Sequence, residues 1–421
     1  MVRAIRFIQL KLTMKYEFLK FLPLLLLYLF LVLTFSSNTY VGDEAGYINI
    51  ATDIVHGSYL SDGNLWWGPG YPITLTPFVL FKLPLLTAKL LNPFFLFGAV
   101  IYFYKTLNLY LEKNCAVIFT YCFGLYPPFM REIYLLMTES LVFLLVCGFM
   151  FHFCKSHQES GKNRRYQILA SLYLGYLALT KIFYGYVILA GILLFLMLFI
   201  FQKRDWYRKT TFIYFLALAV CIPYLLITYS RTGKIFYWGT SGGLSLYWMS
   251  TPYNNEMGDW FSGTSAIQRP ELSPHRDFFE YISNLSEVEK DDALKQQALE
   301  NISQYPLKYI SNWLANIGRL WFSYPFSYTP QKLSTFYYLL PNMFIFVLFV
   351  LSIYPAIVKY RLFPVELIAL LLFDLIAFGG TSLLSAYDRQ FRPLVPVILL
   401  WLSFIYVRVV KIQIHLGTEI P

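Results

Sequence analysis

Charge is what this chain has least of. Asp, Glu, Lys and Arg make up 14% of its 421 residues, against roughly 25% in soluble domains. So small a share excludes a water-exposed globule over most of the length, because there is too little ionic side chain to dress its surface. Paired cysteine is missing as well. Cys115, Cys122, Cys147, Cys154 and Cys221 form no CxxC pair and lie in or beside apolar runs. Their odd number argues against a disulfide framework and for buried free thiols. Internal repeats and low-complexity tracts are also lacking. The formal net charge is +10, yet the basic residues flank apolar runs, which excludes a nucleic-acid surface.

What fills the chain is apolar and aromatic: 57% hydrophobic residues, 20% Phe, Trp and Tyr. Runs such as "FLPLLLLYLFLVLTF" and "FIYFLALAVCIPYLLITY" approach the ~20 residues that cross a bilayer. The expected class is an all-α polytopic membrane protein of about ten transmembrane helices, at 21–37, 88–108, 114–128, 134–153, 166–181, 183–202, 210–229, 334–357, 362–384 and 392–410. The first run is long and no small-residue cleavage site follows it, so it reads as an uncleaved helix rather than a signal peptide.

Lys and Arg orient the bundle. Arg3, Arg6, Lys11, Lys15 and Lys20 precede the first run. Later clusters are Lys155 with Lys162, Arg164 and Arg165; Lys203 and Arg204 with Arg208 and Lys209; Lys359 with Arg361; and Arg408 with Lys411. Ten spans put every cluster on one side, which predicts cytoplasmic termini. The organisation expected is an N-terminal membrane module over 1–230, an extracytoplasmic helical segment over 231–333, and C-terminal membrane helices over 334–421. The middle segment holds ten of the 24 acidic residues and nine of the 34 basic ones, and "DDALKQQALENISQYPLKYISNWL" within it reads as helical.

The first outer loop, 38–87, carries more information than the spans. In "EAGYINIATDIVHG", Tyr47, Ile50, Ala51, Ile54 and Val55 recur at helical spacing, with Gly57 as a stop, which predicts a short helix lying in the membrane interface. "YPITLTPFVLFKLPLLTAKLL", broken by prolines and holding Lys82 and Lys89, reads as a second interfacial piece.

Several charged residues fall on that same outer side. Asp43 and Glu44 open the first interfacial helix. They serve either as helix-starting acids, or as a general base toward an acceptor hydroxyl or ligands for a divalent cation. Glu139 stands among apolar residues, where an ionised group costs roughly 2.5–3.5 kcal/mol; an ion pair with Arg131 or a catalytic task would account for it. Lys181 either snorkels to headgroups or offers a point charge to phosphate. Arg389 and Arg392, in "YDRQFRPLVPV", anchor lipid headgroups or bind a phosphate. Trp66, Trp67, Tyr71, Tyr126 and Tyr387 stand around them. Cations for phosphate, aromatics for a sugar or prenyl chain, and a carboxylate for the acceptor proton together suit an anionic lipid-linked sugar donor. Metal is open: His56 with Asp53 or Asp62, or with Asp43 and Glu44, has no diagnostic spacing.

At these residues the chain resembles the GT-C glycosyltransferases, especially the branch joining protein O-mannosyltransferases and the aminoarabinose transferases that modify lipid A. "GDEAGYINIAT" is similar to the family's acidic first-loop motif, and "GPGYP" to the Pro-rich turn after it. "MTESL" resembles the second acidic motif, "LGYLALTK" the element ending in lysine, and Arg389 with Pro393 and Pro396 the closing arginine motif. The lysine that aminoarabinose transferases carry just before the first-loop proline is absent from "WGPG", and residues 231–333 are too short for the β-trefoil of protein mannosyltransferases. The resemblance implies a GT-C-like bundle and an inverting transfer from a polyprenyl-phosphate sugar to an acceptor hydroxyl. The face implied is extracytoplasmic, as in a bacterial inner membrane. It implies Asp43 as base with Glu44 in support, Glu139 as second acid, Arg389 at the donor phosphate and Lys181 beside it. Arg392, Arg131, Tyr71 and Trp67 join the expected substrate contacts, and a glycan, lipid or protein is the acceptor.

Two other classes compete. Glu366 and Asp374 in the ninth span would suit a transporter or flippase, although such proteins gather polar groups at the midplane and these gather at one surface. A polysaccharide ligase or polymerase is chemically close to the first reading.

Overall fold

The computed structural model describes residues 17–61, 64–158 and 164–410, and these contain helices, turns and no strand. Arg3, Arg6, Lys11, Lys15, Asp62, Lys162 and Lys411 lie outside the described residues. In chain order, α1 (Leu22–Phe35) leads into a long loop that carries α2 (Glu44–His56) and α3 (Gly70–Leu80). Six membrane helices follow: α4 (Leu91–Leu107), α5 (Lys113–Gly124), α6 (Glu139–Gln158), α7 (Arg164–Thr180), α8 (Phe183–Gln202) and α9 (Asp205–Thr232). A polar stretch then forms α10 (Gly242–Met249), α11 (Gly263–Gln268), α12 (Arg276–Ser283), α13 (Glu287–Gln304) and α14 (Pro306–Phe322). The chain returns to apolar helices in α15 (Phe336–Val358), α16 (Val365–Ser382) and α17 (Val395–Phe404).

Eight helical stretches among the described residues are long and apolar enough to cross a bilayer, which makes this an integral multi-pass membrane protein. All ten expected spans fall on helix, but two are short. α5 has 12 residues and α7 has 17, about 18 and 26 Å at 1.5 Å per residue, against a hydrocarbon core of about 30 Å. The fourth span also begins later than expected, at Glu139 rather than 134. Asn92 explains the shift: its amide donates to the Ile133 and Leu135 carbonyls at 2.9 and 2.6 Å, which holds the preceding turns out of a helix.

The membrane helices sort by burial. α6 and the last helix are buried over most of their length and form the centre of the bundle. α8 shows one side to lipid through Leu193, Met197 and Ile200, and packs the other through Tyr184, Ile188 and Phe195. Phe149 of α6 contacts both Tyr214 of α9 and Phe373 of α16. α9 stays helical through Pro223, as is common where no water competes for the freed carbonyl. A second core lies in 231–333, where Leu244, Trp248, Phe279, Ile282 and Leu294 pack together, with Trp66 of the first loop against them. The expected helix there is two, because Pro306 pulls Tyr305 out of helical geometry (φ −129°).

Connectivity places the charged groups. Glu139 starts α6 while Lys155 ends it; Lys181 precedes α8 while Lys203 and Arg204 follow it. A 20-residue helix spans about 30 Å, so the basic clusters lie at one end of the bundle and the candidate site at the other.

Candidate active site

The first loop is fixed before any chemistry is asked of it. Glu44 and Lys89 form an ion pair at 3.1 Å with both side chains 0% exposed. Glu44 also accepts from the Leu136 amide at 2.7 Å and the Val41 amide at 2.8 Å, and Lys89 donates to the Ser37 carbonyl at 2.9 Å. Glu44 is buried and held by three donors, so in place of the expected catalytic support, and of a share in a metal site, it clamps α2 onto the turn that leads to Glu139.

Its neighbour behaves differently. Asp43 stands at the helix start, yet its side chain caps no backbone amide. It accepts instead from Arg389 Nη1 at 2.8 Å, across 346 residues of sequence, with both side chains 27% exposed. Arg389 Nε is buried and has no partner. A buried unpaired guanidinium N–H is costly. The 389 turn is held by Tyr387, whose hydroxyl donates to the Trp260 carbonyl at 2.7 Å.

A second pair lies alongside. Lys181 Nζ meets Glu139 Oε1 at 2.9 Å, both largely buried, so Glu139 pairs with Lys181 and not with Arg131. Tyr47, one turn beyond Asp43, links the two pairs. Burial pushes its phenol well above the usual range, and Arg389, Asp43 and Glu139 all act on it electrostatically. Behind Tyr47 stand Trp67 at 5.4 Å and Tyr71 at 5.2 Å between ring centroids. Tyr71 is buried, so it braces Tyr47 rather than meeting a substrate; Trp67 is half-buried.

"GPGYP" has a steric reason. A Cβ on Gly68 would sit 2.1 Å from the Leu179 carbonyl oxygen, and one on Gly70 would sit 2.5 Å from Thr180 Oγ1. The two glycines let this turn press on the backbone just before Lys181. Gly68→Ala is expected to force the loop off α7 at a cost of about 1–3 kcal/mol, read as a melting temperature lowered by several degrees in detergent.

Arg392 and Arg131 are corrected by their partners. Arg392 is buried and donates to Asp388 at 2.6 Å, Glu132 at 2.9 Å and the Tyr338 hydroxyl at 3.4 Å. Arg131 donates to Tyr338 as well, and the buried Tyr126 hydroxyl binds Asn342. This network pins the last helix to α15 and to the 126–136 turn. Neither Arg392 nor Tyr126 has a face left for substrate. Glu132, Asp388 and Tyr338 carry no pattern that marks them in the sequence. Tyr47 does: it follows Asp43 by four residues, one helical turn.

His56 ends α2, 13 residues from Asp43, about 20 Å along the helix. The two cannot share one ion. Asp53 lies on the same helix and accepts from the Ser58 hydroxyl at 3.4 Å. Among the described residues no three His, Cys, Asp or Glu side chains gather closely enough to ligate a metal.

No family model matches the chain, and no curated protein matches it. Solved structures do. An oligosaccharyltransferase from Archaeoglobus fulgidus is similar over 92% of this chain and 50% of its own in the apo form, at 12% identity and a TM-score of 0.52. The zinc and sulfate complex of that enzyme is similar over 90% and 48%, at 13% identity and a TM-score of 0.50. ArnT from Cupriavidus metallidurans, bound to undecaprenyl phosphate, is similar over 92% and 77%, at 13% identity and a TM-score of 0.42. The chain therefore spans about half the length of the archaeal enzyme it matches. What it shares with that enzyme is the fold, a bundle of membrane helices.

Proposed function

We propose that this protein is a membrane glycosyltransferase that moves a sugar from a polyprenyl-phosphate donor to an acceptor hydroxyl, with inversion. The observation that carries this is the Asp43–Arg389 pair, made by residues 346 apart at one end of the bundle, with the Glu139–Lys181 pair beside it. In the reaction, Asp43 takes the proton of the acceptor hydroxyl as the acceptor oxygen bonds to the anomeric carbon. The bond from that carbon to the phosphate oxygen breaks, and its electrons leave with the polyprenyl phosphate. Arg389 neutralises the departing phosphate with its partly exposed guanidinium, and Lys181 adds a positive charge close by. Glu139 keeps Lys181 in place. An archaeal oligosaccharyltransferase with the same fold supports the reading.

The site lies at the end of the bundle opposite Lys155, Lys203 and Lys359. By the basic-residue bias this reads as an extracytoplasmic active site with cytoplasmic termini, as in a bacterial inner membrane. The acceptor is a glycan, lipid or protein.

Arg389→Ala tests the donor half. Transfer from polyprenyl-phosphate-linked sugars should fall about 10²-fold or more, the loss seen when one charge-stabilising donor is removed. Arg389→Lys should recover only part of it, because an ammonium cannot reproduce the guanidinium fork. Wild-type rates in Arg389→Ala would remove phosphate stabilisation from this residue.

A further inference from the structure

The polar segment after α9 contains a cavity of about 400 Å³, between α10, α11, α12 and α13, with Trp66 of the first loop on its wall. That volume falls in the range of small-molecule sites. One part of the wall is apolar and aromatic: Trp66, Leu244, Phe279 and Ile282. Thr240 is buried and its hydroxyl has no partner. The side chains of Thr264, Gln268, Glu287 and Lys290 likewise make no hydrogen bond or ion pair among the described residues. Five polar groups without a protein partner thus line one cavity, Thr240 buried and the other four open to water. Asp291, also on the wall, is paired instead, with Tyr237 at 2.6 Å and the Gly243 amide at 2.7 Å.

The chemistry narrows the occupant. An acyl or prenyl chain would cover five unpaired polar groups and strip their water without replacement, which is unfavourable. A phosphate would meet the Glu287 carboxylate beside its one free lysine, Lys290, since Asp291 is already paired with Lys295. A sugar ring fits: its C–H face lies on an aromatic ring, while its hydroxyls both donate and accept. Thr264 and Gln268 are four apart on α11 and so point the same way.

We propose that this cavity binds a neutral or amino saccharide unit of the acceptor, presenting a hydroxyl toward Asp43. The inference rests on the glycosyltransferase reading. Ring contacts connect the two places: Trp66 meets Trp67 at 6.4 Å, and Trp67 meets Tyr47 beside Asp43. The Thr240 amide donates to the Leu65 carbonyl at 3.1 Å and ties the cavity wall to the same loop.

The test uses the full chain in lipid nanodiscs on an array of neutral, amino, sialylated and phosphorylated mono- and disaccharides, with acceptor-length peptides as a further set. Neutral or amino saccharides are expected to bind and to change tryptophan fluorescence. Thr264→Ala with Gln268→Ala, both at exposed helix positions, should weaken that binding about tenfold, the loss of two modest hydrogen bonds, with an unchanged melting temperature. Asp43→Asn should bind as wild type does. Binding of phosphorylated or sialylated glycans alone, of peptides alone, of nothing on the array, or equal binding by the double variant would each overturn the proposal. The parent reading fails separately: if Asp43→Asn still transfers sugar, the catalytic assignment falls while saccharide binding stands. If that variant is inactive but no saccharide binds, only the cavity assignment falls.

Discussion

Asp43→Asn is expected to cut sugar transfer by about 10²–10⁴-fold, the usual contribution of a positioned general base, while the protein stays folded and membrane-inserted. An amide matches the carboxylate in size and can still accept from Arg389, so the 2.8 Å contact has an isosteric replacement. What disappears is the capacity to take a proton. Rates from a polyprenyl-phosphate sugar should be compared with melting temperature in the same preparation. A folded variant with undiminished rate would take the base out of the mechanism. A parallel loss of stability and rate would point to a structural part for Asp43. Its partial exposure and lack of any capping bond argue against that outcome.

Lys89→Met should be the most destabilising single change in the first loop. It leaves the Glu44 carboxylate with two amide donors and no countercharge, in a place with 0% exposure. Removing one partner of a buried pair costs about 3–5 kcal/mol, visible as a large drop in melting temperature in detergent. The double variant Lys89→Met with Glu44→Gln should recover part of the loss and not all. It removes the unpaired charge, but one amide oxygen must then serve two N–H donors. If the single variant melts like the wild type, the clamp is not what holds α2 against the turn before Glu139. Transfer should fall in Lys89→Met as well, because the Leu136 amide that Glu44 holds lies three residues from Glu139.

The sequence was most legible where one physical rule acted alone. Hydropathy located helix under each of the ten expected spans, eight of them long and apolar enough to cross a bilayer, since lipid leaves an apolar run no other way to satisfy its backbone. Periodicity found α2, with its end at Gly57, where a left-handed residue (φ 80°) closes the helix. Legibility failed where partners decide. Asp43 and Glu44 are adjacent acids with the same local signal, and only the fold brings Lys89 to one and Arg389 to the other. Arg389 and Arg392 look equivalent in "DRQFRP", yet three residues turn one toward the open pair and the other into Glu132 and Asp388. The start of α6 was misread because the apolar run continues backward through "IYLLM", and nothing in those letters reveals that Asn92 occupies their carbonyls. The unpaired polar groups around the cavity left no mark in the sequence. Their lack of partners is a property of three dimensions.

The clasp between Asp43 and Arg389 bears on the sequence of events in turnover. The arginine that would meet the donor's phosphate is the one holding the base. On the glycosyltransferase reading, an arriving lipid phosphate competes for that guanidinium and loosens the carboxylate as it docks. Acceptor or water reaching the empty enzyme would encounter an aspartate still held by Arg389. On that reading the pair would act as an interlock: activation waits for the cosubstrate, which favours donor-first ordering and guards the glycosyl carrier against wasteful hydrolysis.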